Sequence, residues 1–181
     1  IICNFIKNSE KYIYIEMQYF VDSILENSII TRIKKAIKNK EKFRVFIVIH
    51  TCHIYKMKPK DIRFLTISVD RIRRKIKNNE NYLICREIMY DNYKTIIHSK
   101  FCIIDNKLLT LSASNWVIPS LEKGSSIELG IMFKNDIEIP KIMNTIANEN
   151  LDSNNKIFDY IMHFEKAKNN EGRYRKLNDN Y

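Results

Sequence analysis

Apolar positions along the chain switch between two spacings. Residues 11–20 (KYIYIEMQYF) are aromatic and β-branched, which predicts a strand. From Asp22, a capping residue type, Leu25, Ile29, Ile33 and Ile37 recur every fourth position, predicting a helix to about Asn39 that Glu41-Lys42 ends. Residues 43–49 (FRVFIVI) form a nearly continuous apolar run of strand length, the pattern of a strand buried on both faces. Residues 50–60 read as a loop closing at Pro59, and Asp61 opens a second amphipathic helix. In that helix Ile62, Leu65, Val69, Ile72 and Ile76 alternate spacings of three and four, and residues 78–81 break it. Segments 82–89, 95–104, 108–113 and 127–133 read as strands, with Asp105-Asn106-Lys107 a tight turn. Pro140 suits the first turn of a helix through about Ala147, and Ser153 caps a last helix with Ile157, Ile161 and Phe164 inward.

Strand–helix–strand–helix, then clustered strands, then helices, predicts an α/β layered domain with helices flanking the sheet. The sheet is expected to be mixed, because the turn at 105–107 makes a hairpin and not a crossover. No repeat or internal boundary appears, so residues 1–164 read as one domain and the polar, charged residues 165–181 as a frayed or disordered tail.

Composition narrows the class. The 181 residues are 45% hydrophobic and 29% charged, a soluble globular balance, and only three Gly and three Pro argue against linker-rich or Gly-loop-rich designs. No apolar run approaches the roughly 20 residues of a membrane span. The chain opens Ile1-Ile2-Cys3-Asn4, with no initiator Met and no basic leader, as expected of part of a longer or processed chain. The net charge of +10 suits an anionic partner, although the abundance of Ile, Lys and Asn accounts for the excess Lys equally well. Cys3, Cys52, Cys85 and Cys102 show no paired spacing, and Cys102 lies inside an apolar run. This predicts a reducing, intracellular setting and no disulfide framework.

One stretch carries chemistry: residues 97–116, IHSKFCIIDNKLLTLSASNW. His98 and Lys100 are two apart, so on a strand they share a face. A two-residue loop at Asn106-Lys107 would pair 105 with 108 and bring Asn115 opposite His98 on the same face; a three-residue loop would shift that register by one. An imidazole, an ammonium and an amide at one spot suit attack on a phosphodiester. The imidazole serves as nucleophile or as acid for the leaving oxygen, the Lys offsets negative charge on the phosphoryl oxygens, and the Asn adds a neutral donor. No metal or other cofactor is called for, since no set of ligating side chains has suitable spacing.

This stretch resembles the H-x-K-x4-D motif of the phospholipase D superfamily, in its extended form H-x-K-x4-D-x6-G-S-x-N. His98, Lys100, Asp105 and Asn115 fall on the pattern, while Ser112 and Ala113 stand where the family has Gly and Ser. Residues 14–20 (YIEMQYF) resemble the I-E-N-Q-Y/F-F segment that opens the second half of eukaryotic-type phospholipase D, with Met17 for Asn, and residues 43–49 resemble the strand that follows it. Residues 126–129 (SIEL) resemble the downstream S-E-I/L segment, with Ile127 intervening. The resemblance spans residues 10–135. It implies an α-β-α sandwich half-domain, with His98, Lys100 and Asp105 as catalytic residues and Lys100 and Asn115 on the substrate phosphate. Glu128 would orient the histidine, and Ser114 would replace the family's lost hydroxyl. Asp105, placed at a turn, fits a structural charge better than direct participation.

The implied activity is hydrolysis of a glycerophospholipid to phosphatidic acid and a head-group alcohol through a phosphohistidine, at the cytoplasmic surface of a membrane. That scheme needs two copies of the motif, and no other histidine fits: His50 and His53 lack the following Lys and Asp, and His163 sits on an expected helix. The second copy would come from a first half in the same parent chain or from a second identical chain. Two other readings stay open. One is a homodimeric nuclease, for which the +10 charge and Ser114-Asn115-Trp116 speak. The other is a catalytically degenerate half kept for binding, for which Ser112-Ala113 speaks. Among other features, the His50–His53 segment reads as a loop, Arg71–Lys77 (RIRRKIK) as a solvated helix face, and Tyr12, Tyr14 and Tyr19 as core. Trp116 suits core packing or a nuclease-like motif.

Overall fold

The computed structural model describes residues 1–49, 59–77, 79–90, 93–94, 97–117, 129–150, 170–171 and 174–176. In chain order these form α1 (Ile2–Lys7), β1 (Tyr12–Met17), β2 (Phe20–Val21), α2 (Ser23–Asn39), β3 (Arg44–Val48), α3 (Pro59–Ile76), β4 (Leu83–Tyr90) and β5 (Tyr93–Lys94). There follow β6 (Lys100–Ile104), β7 (Leu108–Ser112), β8 (Trp116–Val117), β9 (Gly130–Lys134), α4 (Glu138–Asn150), β10 (Asn170–Glu171) and β11 (Tyr174–Lys176). The main sheet runs β10-β11-β4-β3-β1-β6-β7-β9, with β5 paired to β4, while β2 and β8 form a separate parallel ribbon. The β1–β3 and β3–β4 pairs are parallel and β6, β7 and β9 antiparallel, so the sheet is mixed.

Every residue of β1 and of β3 is buried, as a strand covered on both faces requires. Alternation sorts their side chains into two cores. Ile13, Ile15, Met17, Val45 and Ile47 pack with Ile29 and Ile33 of α2 and with Val69 and Ile72 of α3. Tyr12, Tyr14, Phe46 and Val48 pack with Ile139 and Met143 of α4. The layers are therefore helix, sheet, helix, and Cys85 and Cys102 are buried free thiols within them.

Local sequence accounts for the helix ends. The Asp22 carboxylate caps α2 by accepting from Leu25 N–H at 2.7 Å, a contact worth about 1 kcal/mol. Helix α3 begins at Pro59, two residues before the expected Asp61, because proline serves well as the first helical residue. Helix α4 starts at Glu138, ahead of Pro140, where Asn135 Oδ1 accepts from the N–H groups of Ile137 and Glu138. Helix α1 has no counterpart among the expected elements: six residues are too few to show a period, and its anchor is one fully buried residue, Ile6. Residues 170–171 and 174–176, expected to be frayed, instead form a hairpin on the edge of β4. An exposed strand edge accepts almost any extended partner, so composition is a poor guide there. The helix expected from Ser153 lies outside the described residues.

Candidate active site

The hairpin after β6 corrects the expected register. Ile104 pairs with Leu108, so the loop is the three residues Asp105-Asn106-Lys107, closed by Lys107 N–H on Ile104 O at 2.9 Å. Asp105 (φ 55°) and Asn106 (φ 57°) both adopt the left-handed conformation, which Asp and Asn tolerate better than other side-chain-bearing residues. Extending this register would set Ser114, not Asn115, opposite His98; in fact the β6–β7 ladder ends at Phe101↔Leu111.

Asn115 reaches the site by another route. Its Oδ1 accepts from Tyr19 N–H at 3.0 Å, and its Nδ2 lies 3.5 Å from Gln18 Oε1. The β2–β8 ribbon fixes this link, with Phe20 set against Trp116 edge to face at 5.5 Å. Trp116 is buried, so it is core. Strand β1 in turn pairs antiparallel with β6, its last residue Met17 opposite Lys100. Gln18 and Tyr19 therefore continue from the end of the ladder at which His98-Ser99 enters. Three segments (18–19, 98–100 and 115) meet at the end of the sheet where parallel strands β1 and β3 finish. Open α/β sheets bind ligands at such ends.

His98 is exposed, just ahead of β6. Lys100, the first residue of β6, donates from Nζ to the His98 carbonyl at 2.7 Å, which holds its ammonium beside the histidine. The strand expected to carry both residues begins only at Lys100, so the link between them is this contact with the His98 backbone. Asp105 does not join them. It lies at the far end of β6, on the order of 20 Å away along the strand. Its carboxylate accepts from the N–H groups of Glu10 (2.7 Å), Lys11 (2.7 Å) and Tyr12 (2.9 Å). It pins the start of β1, so its listing as catalytic is corrected to a structural role. The Ser112 hydroxyl accepts from Ser114 N–H at 2.8 Å and so orders the 112–115 backbone. Gly130 permits this arrangement, since a Cβ there would meet Ser112 Oγ at 3.1 Å. Glu128, like His50, His53 and His163, lies outside the described residues. Among the described residues no cluster could hold a metal ion.

Sequence reasoning gave no role to Glu16, although it is buried at this end of β1. Ser99 Oγ donates to its Oε1 at 2.5 Å and Tyr14 OH to its Oε2 at 3.0 Å. Burial raises its pKa above the usual carboxylate value; the two hydrogen bonds oppose that and the charge of Glu149 adds to it. The signal was available: Tyr12, Tyr14 and Glu16 share a parity, so an acid falls on an inward face. A carboxyl whose folded pKa is raised contributes stability below its unfolded pKa and loses it as pH rises through the folded value. Glu16→Gln is thus expected to match the wild type in stability near pH 4. At pH 7 it should exceed the wild type, a difference read from urea midpoints.

Comparison with known proteins identifies the family and the fold. A family model described as the cardiolipin synthase PLD-like domain matches residues 2–150. The chain belongs to the PLD-like domain family. No curated protein sequence matches it. Its fold is shared with NucT from Helicobacter pylori (TM-score 0.55, 16% identity, 81% of this chain and 82% of that one). It is also shared with Nuc from Salmonella typhimurium, described as a phospholipase D family member (TM-score 0.57, 12% identity, 81% and 82%). Phosphatidylserine synthase from Haemophilus influenzae matches as well (TM-score 0.55, 16% identity), the shared region being 81% of this chain and 34% of that one. The PLD-like domain is of phosphodiesterase type, and domains of this family commonly act as dimers or paired halves.

Proposed function

We propose that this PLD-like domain is the second motif-bearing half of a phospholipase D-type hydrolase that cleaves glycerophospholipids at the cytoplasmic surface of a membrane. The observation that carries the reading is the hydrogen bond from Tyr19 N–H to Asn115 Oδ1. It joins the two segments that most resemble phospholipase D, residues 14–20 and 98–115, at one end of the sheet.

In this scheme one histidine of the pair attacks phosphorus, and the bond from phosphorus to the head-group oxygen breaks. The other histidine gives that oxygen its proton. The same histidine then takes a proton from water, the hydroxide displaces the first histidine from phosphorus, and phosphatidic acid leaves. Lys100 offsets charge on the phosphoryl oxygens throughout. Asn115 Nδ2 has two hydrogens and, among the described residues, one long contact, which leaves donor capacity for the same oxygens.

The partner half is a first half in the same parent chain or a second copy of this one. Strand β9 suits such a partner: at the sheet edge, Ile131, Met132 and Phe133 are 58%, 42% and 40% exposed. Ile131→Glu is expected to lower the paired fraction in sedimentation and to lower turnover with it, while far-UV circular dichroism stays unchanged.

A second reading, a self-paired nuclease, is favoured by the net charge of +10. The test is phosphatidic acid and head-group release from phosphatidylcholine vesicles, run beside cleavage of single-stranded DNA. Lipid turnover supports the first reading, DNA cleavage alone the second. Neither activity in an assembled pair would leave a degenerate half.

A further inference from the structure

Glu16 is a buried acid for which the phosphoryl-transfer scheme has no use. A carboxyl out of water is unfavourable unless its surroundings satisfy it, and such groups concentrate where function demands them. Here the surroundings lead to the motif. Residues 97–99 precede the β6 ladder, which begins at Lys100 opposite Met17, so sheet pairing does not fix them. Ser99 alternates to the face opposite His98 and Lys100. On that face its hydroxyl meets Glu16 Oε1 at 2.5 Å, while Tyr14 holds Oε2 at 3.0 Å. The Tyr14 ring is itself stacked against Phe46 (5.5 Å) and Phe101 (5.7 Å). A rigid aromatic stack therefore fixes a carboxyl, and the carboxyl fixes the residue between His98 and Lys100.

We propose that Glu16 and Ser99 are positioning residues: their hydrogen bond sets the backbone of the His98-Ser99-Lys100 segment so that imidazole and ammonium address one phosphoryl group. The proposal rests on the reading that His98 and Lys100 act on a phosphodiester. Neither Glu16 nor Ser99 touches substrate. A misplacement near 1 Å is enough to lower turnover by one to two orders of magnitude, and substrate binding by other contacts need not change.

Ser99→Ala, Ser99→Thr and Glu16→Gln separate the possibilities, with His98→Ala as reference. Ser99→Ala is expected to lower kcat of the folded protein by about tenfold or more at unchanged KM, with a drop in melting temperature from the unpaired Glu16 oxygen. Ser99→Thr keeps the hydroxyl and Glu16→Gln keeps an acceptor oxygen, so both are expected to stay within about threefold of wild type. A second readout is independent of turnover. With only four histidines in the chain, the His98 ring signal is assignable by its loss in His98→Ala. It is expected to shift and broaden in Ser99→Ala and to recover in Ser99→Thr. Wild-type kcat and an unmoved His98 signal in Ser99→Ala would overturn the proposal, as would equal impairment of Ser99→Ala and Ser99→Thr. If His98→Ala itself retained full turnover, the underlying reading would fail instead.

Discussion

Replacing His98 with alanine is expected to lower phosphodiester turnover by about 10⁴-fold or more, the scale seen when a nucleophile or its proton partner is removed from a group that acts as a unit. Stability should hardly change. The side chain is exposed, and among the described residues only its backbone carbonyl takes part in a hydrogen bond, from Lys100 Nζ. Surface substitutions of that kind stay within about 0.5 kcal/mol. Phosphatidic acid formation and thermal melting, measured on one preparation, check both halves of the expectation. A loss of turnover that merely tracked a loss of folded protein would deny His98 a chemical role.

Asp105→Ala is expected to do the reverse. The family motif counts this aspartate with the histidine and lysine, yet its carboxylate receives the N–H groups of Glu10, Lys11 and Tyr12. Hydrogen bonds to a charged group contribute about 1.5–3 kcal/mol each, and solvent at the partly exposed turn offsets some of that. Alanine also tolerates the φ of 55° at this position poorly. A destabilisation of about 3–5 kcal/mol is expected in urea unfolding, with kcat of the remaining folded protein within about twofold of wild type. Asp105→Asn, which keeps one acceptor and suits the left-handed backbone, should recover much of the stability. If Asp105→Ala stayed stable and lost turnover, the motif's listing of it as catalytic would be right.

How far the sequence announced this arrangement depends on the range of the interaction. Burial periodicity is local, and it located the six longer strands and helices α2, α3 and α4 to within about three residues, except that the strand expected from residue 95 starts only at Lys100 and leaves His98 ahead of it. The nearly continuous apolar 43–49 run became β3 between β1 and β4, as two-sided burial demands. His98 and Lys100 needed only the two-residue repeat of an extended chain. Asn115 could not be placed that way. The loop at 105–107, where successive left-handed Asp and Asn made three residues of an expected two, removed the register that would have placed it. Its position follows from the β2–β8 ribbon, a two-residue parallel pairing between segments nearly a hundred positions apart. Such pairings are set by tertiary packing, here Phe20 on Trp116, and leave no period to read. Glu16 shows the opposite case. Its inward parity was legible, but its partner Ser99 lies just ahead of another strand, so its surroundings emerge only from the β1–β6 register.

The central claim is that His98 and its neighbours act on the phosphodiester of a glycerophospholipid. The measurement closest to it is the release of phosphatidic acid from phosphatidylcholine vesicles by the paired protein, wild type against His98→Ala, with single-stranded DNA as competing substrate. Phosphatidic acid is expected from the wild type, none above background from His98→Ala, and little cleavage of the DNA. Cleavage of the DNA with the lipid untouched, or equal lipid turnover by the two proteins, would contradict the claim.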